Sequence, residues 1–198
     1  MSNLLTLVEA KIFVRSETDV HDKLLNMLIP MVSQTIESYC DRSFDATDYT
    51  EYYDGEGSAH LYVDNWPINS VSALYNDTTR QFTTSSLIED VNYVIYANEG
   101  RITLIGSYLA GSSMMDNAFT SGLQNIKIIY NAGYVAIPYD LRLIAGEVLA
   151  KKWKTYQDKR IGYSSISTQG ESFVMTVSDL LPEHLRILNA RYRKRGMI

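Results

Sequence analysis

Only one cysteine, Cys40, occurs in the 198 residues. An intrachain disulfide is therefore impossible, and so is a zinc or iron–sulfur site built on cysteines. Histidine is also scarce. His21, His60 and His184 stand far apart, with none of the spacings that ligate metal. No apolar run approaches the roughly 20 residues that a membrane span needs. The opening stretch, MSNLLTLVEAKIFVRSETD, has no basic lead, and acidic residues interrupt its apolar part. No secretory signal is expected from it. These absences predict a reducing, aqueous compartment and no membrane partner. Gly55-Glu56-Gly57 lacks the third glycine and the following helix of a phosphate-binding fingerprint, and reads as a hairpin turn. There is no Walker-type lysine, and no nucleophile elbow surrounds a serine. The acidic residues Asp41, Asp45, Asp48, Glu51, Asp54 and Glu56 miss the spacing and the glycine of a calcium loop. No catalytic residue, cofactor or metal is expected.

What is present is an ordinary globular balance, 45% hydrophobic and 21% charged. A chain of this length buries roughly 70% of its unfolded surface and needs no staple to fold. Tyrosine is the exception, with 15 against 5 Phe and 2 Trp. The net charge of −5 hides an uneven distribution. Residues 1–100 hold 5 basic and 16 acidic side chains, whereas residues 101–198 hold 13 and 7. Such a split marks a nucleic-acid contact, a surface for an acidic partner, or basic groups placed for a helix dipole. An acidic protein is a poor general DNA binder, because phosphate neutralisation drives that binding.

Periodicity predicts a short helix over 5–14, with Thr6 and Glu9 as a capping box. A longer helix is predicted over 19–41, where Leu24, Leu25, Leu28, Val32, Ile36, Tyr39 and Cys40 recur at three- and four-residue steps. Pro30 lies inside it and predicts a kink near 26–29. Glu37 and Asp41, four apart, read as a solvated like-charge pair. Residues 49–130 read as an inserted β region. A hairpin is expected at Asp54–Ser58, joining strands at 49–53 and 60–63. Further strands are expected at 71–75, 93–97, 101–104 and 126–130, with a turn at Asn98–Gly100. Gly106–Gly122 reads as a long loop. A helix over 138–157 carries the stripe Leu141, Ile144, Ala145, Val148, Leu149 and Trp153. Residues 159–198 form a flexible arm, with a small hairpin near 173–177 and a last amphipathic helix from Pro182. Helices and strands are segregated, so the fold class is α+β, with one domain over 1–158 and the arm beyond it.

Three stretches carry a family pattern. Tyr39-Cys40-Asp41-Arg42-Ser43-Phe44 ends the long helix. Tyr53-Asp54-Gly55-Glu56-Gly57 then opens the β region, and Trp66-Pro67-Ile68-Asn69-Ser70-Val71 follows. Ala132-Gly133-Tyr134 and Pro138-Tyr139-Asp140-Leu141 lead into the next helix. In order and spacing this resembles the head–tail connector (adaptor) proteins of tailed bacteriophages, over about residues 20–155. Pro30 and the loop at Met114-Met115 depart from the pattern.

The resemblance implies a virion structural protein without enzymatic activity, assembled in the host bacterial cytoplasm. Such proteins form a ring under the portal, twelve-fold like the portal, which extends the DNA channel. They present a platform to head-closure (stopper) or tail proteins, and double-stranded DNA passes without specific binding. Two surfaces are expected. The tail helix with its basic end (Leu185, Leu188, Arg191, Tyr192, Arg193, Lys194 and Arg195) is expected to dock on the portal. Removing 182–198 is then expected to leave the core folded. Arg142, Lys151 and Lys152 are expected at the interface between subunits. The alternatives are another phage neck or tail-completion protein, or a small α+β ligand-binding domain or enzyme with a polar-lined pocket.

Overall fold

The computed structural model describes residues 3–105, 118–157, 165–168, 171–174 and 180–194. In chain order the helices are α1 (Leu7–Val14), α2 (Asp22–Cys40), α3 (Tyr139–Gln157) and α4 (Pro182–Arg191). The strands are β1 (Thr47–Gly55), β2 (His60–Tyr62), β3 (Ile68–Asn76), β4 (Leu87–Ile88), β5 (Tyr93–Tyr96), β6 (Arg101–Leu104), β7 (Gly122–Ala132), β8 (Ser165–Thr168) and β9 (Glu171–Val174). The fold is α+β. The chain divides into two compact units: Met1–Ser43 with Ala136–Ile198, and Phe44–Val135. Met114-Met115 and the rest of residues 106–117 of the loop, and residues 159–164, 169–170, 175–179 and 195–198 of the arm, lie outside the described residues.

The helical unit starts from a reciprocal cap. The Glu9 N–H donates to Thr6 Oγ1 (3.2 Å), and the Thr6 N–H donates to Glu9 Oε2 (2.8 Å). This satisfies two of the donors that a helix start leaves free. Lys11 Nζ then bridges Asp19 (2.6 Å) and Asp22 (2.8 Å) at the entry to α2. α2 buries Leu25, Ile29, Val32, Ile36 and Cys40, and runs on through Pro30. Its start corrects the expected 19–41 span, because Asp19–His21 is a separate 3-10 turn. The expected stripe of α3 is buried throughout, from Leu141 to Trp153. Gly146 faces the Phe13 ring of α1, and a Cβ there would lie 2.2 Å from the ring. Glycine is what lets these two helices approach. Glu37 departs from its expected solvated state. It is buried, and its Oε1 accepts the Ser43 hydroxyl (3.2 Å). Asp41 turns left-handed and ends the helix.

The β unit is a sandwich. One sheet has the order β1-β7-β3-β4 and the other β2-β6-β5, and every pairing is antiparallel. Inward residues alternate as a half-buried strand requires: Ile126, Ile128, Tyr130 and Ala132 on β7, and Leu61 and Ile102 from the facing sheet. The expected hairpin between 49–53 and 60–63 does not form. β1 pairs with β7 and β2 pairs with β6, so the Asp54–Ser58 turn carries the chain from one sheet to the other. Turn chemistry fixes where a chain reverses, and pairing is decided by which apolar faces must meet. β8 and β9 form a separate antiparallel pair.

Candidate interaction surfaces

The tail helix is folded against its own unit. Leu188 is 0% exposed and Tyr192 is buried, with its hydroxyl donating to Asp140 Oδ1 (2.5 Å). Leu185 is half-buried. His184 is buried, its Nε2 lies 2.6 Å from Glu147 Oε2, and its Nδ1 accepts the Leu181 N–H (3.2 Å). A ring nitrogen that accepts a backbone N–H carries no proton, so Nε2–H is the donor to Glu147. The Lys194 N–H donates to the Cys40 carbonyl (2.9 Å), and the Tyr39 hydroxyl reaches Asn189 Oδ1 (3.0 Å). The outer rim is basic. Arg191 has a 71% exposed side chain and sits 3.3 Å from Asp140 Oδ2, and exposed Arg193 lies over the Tyr39 ring. Arg195 lies outside the described residues.

The three expected interface bases sit on α3, and each has work inside its own chain. Arg142 Nη1 donates to Glu9 Oε1 (3.0 Å) and its Nε to the Ile137 carbonyl (2.9 Å). The cap formed with the Thr6 N–H, and secondarily this guanidinium, holds the Glu9 carboxyl below the usual carboxylate range. Lys151 and Lys152 are half-buried and also have intramolecular partners. Cys40 is fully buried, and burial pushes its thiol up to about 12.

Inside the sandwich a polar knot ties β1 and β7 to the loop that follows β2. Glu51 Oε2 accepts the hydroxyls of Tyr53 and Tyr130, the latter at 2.5 Å, and Oε1 accepts Asn65 Nδ2 (2.9 Å). The Tyr53 hydroxyl accepts the Asp64 N–H in turn (2.8 Å). Burial, aided by the carboxylate, pushes both phenols well above their ordinary value. In sequence, Glu51 is one of a run of acids. Its strand alternation with Tyr49 and Tyr53 was the signal that it faces inward. Asp48 and Asp54 serve separately, accepting from Asn131 Nδ2 (2.7 Å) and the Gln124 N–H (2.7 Å). No group of three metal-ligating side chains forms among the described residues. On α1 and the segment just after it, Val8, Lys11, Ile12, Arg15, Ser16 and Glu17 line an open groove of about 540 Å³.

Both outer faces of the sandwich carry a cation between two cross-strand tyrosines. On one, Lys127 of β7 pairs with Tyr52 of β1 and Tyr75 of β3, and its Nζ lies 5.9 and 5.6 Å from their ring centres. Phe82 closes a third side at 5.6 Å. A loop anchored by Asp77 holds that ring. The Asp77 carboxylate accepts the Thr79 N–H (2.8 Å), the Thr79 hydroxyl (2.7 Å) and the Phe82 N–H (2.7 Å). These bonds, the Thr79 hydroxyl foremost, lower Asp77 to about 2. They also hold Phe82 left-handed (φ 50°), a conformation a bulky residue avoids. On the other face, Arg101 of β6 pairs with Tyr62 and Tyr96, stacks 3.7 Å from the Tyr96 ring centre, and is neutralised by Glu99 at 3.0 Å. The tyrosine excess is visible in the sequence, but these rows are not, because strand partners are set by the fold.

A family model described as "Head completion protein" matches residues 3–195. Two solved chains share the fold. One comes from the neck of an empty GTA particle computed with C6 symmetry, with a TM-score of 0.55 and 15% identity over 98% of this chain and 92% of that one. The other comes from the neck of a native GTA particle computed with C12 symmetry, with a TM-score of 0.50 and 15% identity over 100% of this chain and 96% of that one. No curated protein matches the sequence.

Proposed function

Because the chain belongs to the head completion protein family, we propose that it is a structural part of a phage neck, a ring seated under the portal that extends the DNA channel. The observation that carries this reading is the family match, which runs through both compact units. The fold shared with neck chains from particles of C6 and C12 symmetry supports a homo-oligomeric ring. The ring receives the portal on one side and a head-closure or tail protein on the other.

Charge suits such a channel. The β unit holds eleven acidic residues against three basic ones. A wall of that sign repels phosphate, so a duplex slides through it without being held. No sequence-specific DNA binding is expected, and a gel shift at physiological salt reads this directly.

The portal contact is assigned to α4 and the residues after it. Leu188 and Tyr192 anchor the helix to its own unit, so the face offered outward is half-buried Leu185 with Arg191, Arg193 and Lys194, and Arg195 is the next residue in the sequence. Arg142, Lys151 and Lys152 are proposed at the subunit boundary, and reversing their charge is expected to weaken self-association most at low salt. Arg142 needs a stability control, because its reversal also breaks the Glu9 pair. Electron microscopy of the purified protein tests the ring. Closed rings support the reading, and particles that stay single at every concentration, with or without portal, contradict it.

A further inference from the structure

The β unit is strongly acidic, and two of its three cations, Lys127 and Arg101, occupy equivalent places on opposite outer faces of the sandwich. Both lie between cross-strand tyrosines. They differ in one respect. Arg101 has a carboxylate, Glu99, at 3.0 Å. Lys127 has rings on three sides and no carboxylate partner among the described residues. A cation among rings gains about 0.5–2 kcal/mol from their faces and still favours an anion on its open side. The face around it is open, with Tyr52 48% and Leu87 41% exposed, and polar Asp48, Thr50 and Asn131 follow farther along the same side of β1 and β7.

Glu99 supplies the complement. It uses Oε2 for Arg101, its side chain is 52% exposed, and the Arg101 it holds pairs across the strands with Tyr62 (54% exposed) and Tyr96. The aromatic face that lacks an anion and the aromatic face that displays one thus lie back to back on one sandwich. Copies joined head to tail place two different faces together, and a ring of about twelve turns each copy by only about 30°. The two faces must then lie nearly opposite each other, as the two sides of a sandwich do.

We infer that the outer face of β1-β7-β3-β4 packs on the outer face of β2-β6-β5 of a second copy, with the second copy's Glu99 reaching the Lys127 ammonium among its rings. This rests on the ring reading above and names the contact that closes the ring. Tyrosine-rich, partly apolar patches with a central charged pair are the composition of interface hot spots.

Cross-linking of the full chain tests it. Thr50 and His60 lie on the two outer faces, both exposed, and buried Cys40 leaves no competing surface thiol. In T50C/H60C, a short bismaleimide is expected to give a ladder of trimers and higher species, which neither single variant gives. K127E in the same background is expected to cut the species above monomer by about tenfold, with unchanged circular dichroism. Rings of the wild-type protein by electron microscopy without a ladder overturn the inference and leave the ring reading standing. A ladder unaffected by K127E removes Lys127 from the contact and overturns it too. Absence of both rings and ladder, with and without portal, overturns the ring reading itself.

Discussion

Cys40 and Asp77 show how far a single side chain can be read. Cys40 falls on the apolar stripe of a helix, and its burial follows from that spacing. With its thiol pushed up to about 12, almost none is thiolate at pH 8. A disulfide reagent is expected to modify it only as fast as the protein unfolds, and rapid stoichiometric reaction of the native protein would contradict this. Asp77 is different. Asn-Asp-Thr-Thr suggests a turn, but only the folded loop shows three donors converging on one carboxylate. Its folded value, about 2, lies below the ordinary value of 3.8. The anchored loop is therefore favoured at every pH above about 4 and loses that advantage as pH falls toward 2. Carbon-13 shifts of the Asp77 carboxyl are expected to titrate near 2 in the native protein. D77A is expected to free the Phe82 ring from Lys127, seen as loss of ring-to-lysine NOEs at neutral pH.

Among elements, helices were more legible than sheets. Every residue of the α3 stripe is buried as its periodicity predicts, and Pro182 opens α4. A helix makes its hydrogen bonds within itself, so a local pattern suffices to find it. β7 pairs at one end with residues far earlier in the chain, as Ala132 does with Thr47 and Ile68. Alternation told which face of each strand is buried but not which strand lies beside it. Two-residue β4 is too short to show any alternation. α4 was legible as an amphipathic helix, yet its apolar side was assigned to a partner. Leu188 and Tyr192 instead complete the helical unit, so removing 182–198 is now expected to destabilise that unit as well as any docking. L188A is expected to lower unfolding free energy by about 2–5 kcal/mol, the usual loss for a fully buried leucine. R191E, on the exposed rim, is expected to change it by less than about 1 kcal/mol while weakening portal binding. Denaturant melts of the two variants separate core from surface. G146A is expected to cost about 1–3 kcal/mol by driving α3 off the Phe13 ring, and a neutral result would show that the ring has room to move.

At the scale of the whole molecule, the uneven charge seen in sequence sorts by unit. The β unit is acidic, and the bases concentrate on the helical unit and its tail. That arrangement is consistent with a part whose surfaces face copies of itself, a portal and passing DNA. Composition alone pointed no further than a globular Tyr-rich protein. It was the order of Tyr-Cys-x-Arg-x-Phe, the glycine turn and Ala-Gly-Tyr that resembled the connector family, and the family match over 3–195 agrees with it. The aromatic faces remained hidden because they assemble from residues up to 75 positions apart, as Tyr52 and Lys127 are. Mass photometry of the protein mixed with its portal ring tests the central claim most directly. A discrete gain in mass equal to about twelve copies per portal is expected. A portal whose mass stays unchanged, beside a protein that remains a single 22.5 kDa chain, would contradict it.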